Sequence, residues 1–326
     1  MDAKVEHSPF LPGTNIQYAW DSTSLGYFKR CPRLYYYTMI QGWETRDESI
    51  HLRFGIEYHH ALQDYEERIA KGDTHDDALK WVVYNLLGRI EDWEPDRESK
   101  AGKNKNPETL LRTVIWYLDE HQGDEVETLI WKDGTPAVEQ SFRFELTWGP
   151  EAVRNDKGHL LPTQPYVLCG HLDKIVVYQD QRFVMDHKTT TWYITPKYFE
   201  GYEPDNQMTL YALASKVVLH QDSPVRGVII DAARIESDKS SFARGVTYRT
   251  PEQLAEWVVD LRYHLEDAER CARKGYWPMR DTSCDKYGGC KFRGICSKSP
   301  KVRDRFLEGG FVKQIEEEKW NPLRKR

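Results

Sequence analysis

The sequence predicts an α/β fold, a central mixed β-sheet flanked by helices. Three observations carry this expectation. Apolar residues recur at helical spacing through the first 120 residues, short runs between 137 and 248 alternate with a period of two, and helical spacing returns among and after those runs.

In chain order, Thr23 or Ser24 offers a cap for the segment SLGYFKR, whose Leu25 and Phe28 share a face. A second helix is predicted over about 52–70. At about 100° per residue, Tyr58, Ala61, Leu62, Tyr65 and Ile69 make its core stripe, His60 faces solvent and His59 lies on the flank. Further helices are predicted over 76–93 and 107–120, separated by EPDRESKAGKNKNP (94–107), which reads as a solvated loop. Strands follow over 137–148, 166–178 and 182–187, the last two joined by a tight turn at 179–181. A helix over 206–219, strands over 225–235 and 242–248, and a helix over 251–273 complete the pattern.

The 326 residues show no repeat and no long linker, so a single main domain is expected over 21–300, with an extension at 1–20 and a tail at 301–326 ending in the basic tip PLRKR. Hydrophobic residues are 39% and charged residues 30%, enough for a sizeable core. No apolar run reaches bilayer length, and MDAKVEHSPF lacks the apolar centre of a secretory signal. A cytoplasmic, reducing location with no membrane partner is expected, where the six cysteines read as metal ligands or buried thiols. The net charge of −6 does not exclude nucleic acid, because only the groove meeting phosphate must be positive.

The segment VMDHKTT places Asp186 and Lys188 on one face of a strand and His187 on the other. A carboxylate binds a divalent cation, and a neighbouring ammonium stabilises charge growing on a phosphate. Asp173, thirteen residues earlier, falls across from this strand if the turn closes a hairpin. Two such carboxylates repel, which a divalent metal relieves. Downstream, Gln207 and Tyr211 share a helix face; upstream, Gly55 permits close backbone approach before His59.

The series Gly55-x-x-x-His59, Gly170-x-x-Asp173, Asp186-x-Lys188 and Gln207-x-x-x-Tyr211 resembles the PD-(D/E)XK nuclease superfamily, in its RecB-like branch. The resemblance implies a restriction-endonuclease-like core. It also implies Mg²⁺ or Mn²⁺ held by His59, Asp173, Asp186 and the main-chain carbonyl of His187. Lys188 would assist the attacking water, with Gln207 and Tyr211 lining the site. The implied activity is a metal-dependent deoxyribonuclease, an exonuclease more than an endonuclease. Its substrate would be DNA that is single-stranded or has free ends, in repair, recombination or viral DNA processing. Recombination or replication proteins are the implied partners. No G-x-x-x-x-G-K-[ST] loop is present, so no motor is expected in the chain itself. The rival readings are a DNA-binding or assembly subunit with little catalysis, and a zinc-stapled nucleic-acid-binding protein.

Cys284, Cys290 and Cys296 are separated by five residues each, with Gly288, Gly289 and Gly294 able to wrap a compact centre. Cys31, in FKRCPRLYYY, is the fourth candidate; Cys169 and Cys271 read as buried small hydrophobes. Four cysteines suit Zn²⁺ or an iron–sulfur cluster, and the wide spacing favours the cluster. One early Cys-Pro with three late cysteines resembles the iron–sulfur subset of RecB-like nucleases, which includes AddB-type helicase–nucleases and CRISPR-adaptation nucleases. That implies a [4Fe–4S] cluster stapling the N- and C-terminal parts. Tyr35, Tyr36, Tyr37 and the segment 192–202 are aromatic-rich and suit either base stacking or core packing, with Lys197 placed for phosphate.

Overall fold

The computed structural model describes residues 8–152, 158, 160, 164–219, 225–285, 288–315 and 318–324. The chain divides into two compact units, one made of residues 1–47, 141–170 and 251–326, the other of residues 48–140 and 171–250.

In the second unit the sheet is organised by a two-residue turn. Gln179 and Asp180 both have left-handed backbones, φ 50° and 59°. Such a turn matches the twist of the strands it joins. Val167–Tyr178 thereby pairs antiparallel with Gln181–Thr190, with Tyr178 opposite Gln181 and Lys174 opposite Met185. Gln181–Thr190 pairs parallel with Gly227–Ile235, which pairs antiparallel with Ser240–Thr247. The sheet is mixed, as the sequence implies. Helices Ile50–Ala70, His75–Arg89 and Pro107–Glu120 bury Phe54, Tyr58, Leu62, Val82, Leu86, Leu110 and Val114 in one core with Ala233 and Ile235. Helix Asn206–Val218 packs on the two parallel strands and buries Met208, Leu210 and Ala214.

Several expectations are corrected in this unit. Residues 94–107 are not a solvated loop throughout: Ser99 caps a helix, Lys100–Asn104. Lys105 is buried, with Nζ 2.8 Å from Thr189 Oγ1 and 5.0 Å from the centre of the Phe54 ring. Burial lowers its pKa to about 8. Ile69 lies beyond the end of the core cluster and is exposed. A Cβ at Gly55 would meet nothing within 4 Å, so no close approach demands that glycine.

In the first unit, Asp21 is the helix cap, not Thr23 or Ser24. Its Oδ1 accepts the Ser24 N–H at 2.9 Å, and the Ser24 hydroxyl returns to the Asp21 N–H, a capping box. Trp20, Phe28, Tyr35 and Trp277 form an aromatic core, with Trp20 stacked on Tyr35 at 5.6 Å. Tyr35 also donates to Gln17 Oε1 at 2.6 Å. Tyr37 packs on Phe292. Both tyrosines are buried and are not available to bases. Within 301–326, Arg303–Gly310 is a helix with buried Leu307, and Phe311–Lys313 pairs antiparallel with Trp43–Thr45. The last two residues of the basic tip, 325–326, lie outside the described residues. Among the described residues no helix is long and apolar enough to cross a membrane.

Gly170 has φ 157°, and a Cβ there would sit 2.9 Å from Cζ of the buried Phe142. Here packing does demand a glycine three residues before Asp173. Gly170→Ala is expected to lower the urea midpoint, by about 2 kcal/mol of stability. An unchanged midpoint would show that the Phe142 ring moves aside freely.

Candidate active site

Alternate residues of a strand share a face, and within Gln181–Thr190 this aligns Asp186 with Lys188. Lys188 Nζ lies 2.6 Å from Asp186 Oδ2. The hairpin brings Asp173 across from them, where its Oδ2 accepts the His187 N–H at 2.9 Å. His59 approaches from helix Ile50–Ala70. Its Nδ1 is 3.3 Å from Asp173 Oδ2 and its Nε2 is 2.9 Å from the carbonyl oxygen of His187. On the other side, Lys188 Nζ donates to Gln207 Oε1 at 2.9 Å, and Gln207 Nε2 donates to the Tyr211 hydroxyl at 2.9 Å. Asp205 fixes the start of that helix by accepting the N–H groups of Gln207 and Met208. His59, Asp173, Asp186, His187, Lys188, Gln207 and Tyr211 are thus brought together within the second unit, while His60 faces solvent.

One residue was not anticipated. Glu139, on strand Val138–Glu145, offers a carboxylate oxygen that lies with ligand atoms of His59 and Asp173 inside a set no more than 4.8 Å across. Its backbone is left-handed, φ 45°, a break that the alternating pattern VEQSFRFE does not announce. Asp186 is not in that set of three; its carboxylate is engaged by Lys188.

Burial shapes the charges. It lowers the pKa of His59, so the imidazole is neutral at neutral pH. A neutral ring has one N–H, yet both its nitrogens face acceptor oxygens. Burial pushes Asp173 up, but the adjacent His59 ring, the Lys188 ammonium, and the His187 ring and N–H outweigh it and leave its carboxyl below the usual range. Asp186 goes the other way: burial, helped by Asp173 and opposed by Lys188, raises it to about 6. Burial opposes the Lys188 charge, but Asp186 and Asp173 more than restore it, so the ammonium is favoured.

Behind the strand, the His187 ring sits among Tyr58, His59 and Tyr117. Its Nδ1 is 3.3 Å from Asp231 Oδ2, the oxygen that accepts from the Tyr117 hydroxyl, and Arg244 Nε lies 3.4 Å from Asp231 Oδ1. Arg244 also pairs with Asp124. The sequence carried a signal for Asp231, an acid inside the apolar run GVIIDAARI, because a buried acid requires partners.

The four sequence-predicted cysteine ligands lie in the first unit, but among the described residues no three of their sulfurs come within 4.8 Å of one another, so the structure does not gather them into a ligand set. Cys31, Cys290 and Cys296 pack against one cluster formed by Leu34, Tyr37, Trp43, Phe292, Ile295 and Leu307. Cys31 Sγ accepts the Arg280 N–H at 3.3 Å, and the Cys290 N–H donates to the Cys284 carbonyl at 2.9 Å. Burial, then Cys290 and Cys31, raise the pKa of Cys284. Cys169 and Cys271 are buried, and burial raises the Cys169 thiol to about 12.

The sequence profile of the PD-(D/E)XK nuclease superfamily matches residues 21–297. No curated protein sequence matches the chain. Among solved structures, one of a candidate exonuclease from Eubacterium rectale is similar at 10% identity and a TM-score of 0.49, covering 88% of this chain and 92% of that one. Another, of a protein named SSO0001, is similar at 15% identity and a TM-score of 0.32, covering 86% of each chain.

Because Asp186 ionises only near 6 when folded and at 3.8 in its ordinary state, folding opposes its charge at neutral pH. In chelator-treated protein at pH 7.5, Asp186→Asn is therefore expected to raise stability, by roughly 1–3 kcal/mol. The gain should shrink as pH falls from 6 to 4 and vanish below the ordinary value, where both states hold the protonated acid. A lower urea midpoint at pH 7.5, or a pH-independent change, would contradict this account.

Proposed function

Because the chain belongs to the PD-(D/E)XK nuclease superfamily, we propose that it is a Mg²⁺- or Mn²⁺-dependent deoxyribonuclease of the RecB-like branch, removing nucleotides from DNA ends. The observation that carries the reading is the convergence of His59, Glu139, Asp173, Asp186 and Lys188 in one half-buried site. The donor set is carboxylate-rich with one imidazole, which suits a hard or borderline divalent ion. Two features fit such an ion. Both nitrogens of the neutral His59 ring face oxygens, and among the described residues Asp186 Oδ1 is buried with no hydrogen-bond donor. Asp173, Asp186, His59 and the His187 carbonyl would hold the ion, with Glu139 as an added ligand.

When bound, the metal supplies Lewis acidity and a water of lowered pKa. The chain's own part is positional and electrostatic. Lys188 keeps its proton, because Asp186 and Asp173 outweigh burial, and so presents a fixed positive charge to a phosphate gaining negative charge. Gln207 fixes the ammonium through Oε1, and Tyr211, neutral because burial and both carboxylates raise its pKa, fixes Gln207.

For the cysteines the reading is a [4Fe–4S] cluster on Cys31, Cys284, Cys290 and Cys296, supported by the packing of Cys31, Cys290 and Cys296 against one apolar cluster and by the N–H donated to Cys31 sulfur. It would tie residue 31 to the segment 284–296, closing a long loop in the unfolded chain. DNA repair, recombination or viral DNA processing, with proteins of those processes as partners, is the setting that fits a nuclease with no motor motif.

With end-labelled single- and double-stranded DNA and Mg²⁺ or Mn²⁺, the protein is expected to release short products from ends. Asp173→Ala, Asp186→Ala and Lys188→Ala are each expected to lower the rate by about a hundredfold or more. Glu139→Gln is expected to raise the metal concentration needed for half-maximal rate. Equal degradation by wild type and Asp186→Ala would remove the catalytic assignment.

Purified anaerobically, the protein is expected to be brown and to contain iron and acid-labile sulfide in equal amounts. Cys284→Ser should lose both and unfold at lower temperature. A colourless protein carrying stoichiometric zinc would overturn the cluster.

A further inference from the structure

The strand bearing Asp186 and Lys188 ends at Thr190, and the chain then turns outward. The turn is fixed, since Thr190 Oγ1 accepts the Trp192 N–H at 3.0 Å. Beyond it two large aromatic side chains stand in water: Trp192 is 78% exposed and Tyr193 is 73% exposed. The Tyr193 ring does not swing freely. The Arg234 guanidinium, from the residue paired with Thr190 in the next strand, lies 3.7 Å from the ring centre. Arg234 is itself held by Glu236 at 2.9 Å.

The far end of the segment is pinned as well. Phe199 presses on Gly245 so closely that a Cβ there would be 2.3 Å from Cδ1 of the ring. Arg249 donates to the Tyr202 carbonyl at 2.8 Å and to Thr209 and Thr247 hydroxyls. The Tyr198 and Tyr202 hydroxyls meet at 3.0 Å. An anchored segment thus presents two open aromatic faces backed by a cation. Trp192 is four residues past Lys188, at most about 14 Å along the backbone.

Open aromatic faces beside a phosphodiester site suit one partner chemistry. Unpaired bases have free π-faces and stack on such rings whatever their sequence, and a nearby arginine adds to the attraction. In a duplex those faces are already occupied by neighbouring bases. We propose that Trp192 and Tyr193, with Arg234 behind the tyrosine ring, form a stacking platform for the unpaired bases of a DNA strand whose phosphodiester lies at Lys188. The platform rests on the nuclease reading above and specifies its substrate as single-stranded DNA or a frayed end.

The test measures binding without cleavage, in Ca²⁺, of an oligothymidylate and of an abasic deoxyribose-phosphate strand of equal length. Wild type is expected to prefer the base-bearing strand by about tenfold or more. The preference should collapse towards one in the Trp192→Ala/Tyr193→Ala double variant and return in Trp192→Phe/Tyr193→Phe. Both side chains are exposed, so the variants retain the core. A preference that survives the double alanine variant, or a wild type that binds both strands equally or neither, would overturn the platform. Cleavage is read separately in Mn²⁺. No cleavage alongside an intact base preference would sink the nuclease reading and leave the binding surface standing.

Discussion

The constraint on which the rest depends is the company Lys188 keeps. An ammonium, two carboxylates and an imidazole are held together partly out of water, and taking charge out of solvent costs several kcal/mol per fully buried ion before any pairing. The pairing is unequal. Lys188 recovers its charge from Asp186 and Asp173, Asp173 recovers its own from His59 and Lys188, and Asp186 does not. A site left with one reluctant acid and an imidazole facing two oxygens is an electrostatic arrangement that a cation would complete.

The scaffold around it makes that arrangement affordable. Helix Ile50–Ala70 sinks Phe54, Tyr58, Ala61 and Leu62 into the core, which leaves His59 no freedom to turn away. The hairpin fixes Asp173 by register, and the His187 N–H fixes the orientation of its carboxylate. Asp205 sets the first turn of the helix that carries Gln207 and Tyr211. Each side chain of the candidate site thus hangs from an element whose position is decided elsewhere.

Much of this was legible in the sequence, and for identifiable reasons. A strict period of two put Asp186 and Lys188 on one face, and a turn of the right length put Asp173 across from them. Helical phase separated His59 from His60. What escaped was whatever depends on a break in regularity or on distant partners. Glu139 reaches the site through a single left-handed residue, which side-chain alternation cannot register. Lys105 looked solvated because its neighbours are polar, yet Phe54 and Thr189, distant in sequence, bury it. Tyr35 and Tyr37 carried the same composition as a stacking surface, and only Trp20, Trp277 and Phe292 decide that they are core.

His187 belongs to both faces of its strand. Its ring sits beside Asp231 among the rings of Tyr58, His59 and Tyr117, while its peptide N–H and carbonyl meet Asp173 and the His59 Nε2. The residue behaves as a rivet driven through the sheet. A twist of that peptide plane would draw the imidazole away from the Asp231 carboxylate. The bearing of that carbonyl is therefore guarded by Asp231, Arg244 and Asp124, a charge cluster packed behind the strand.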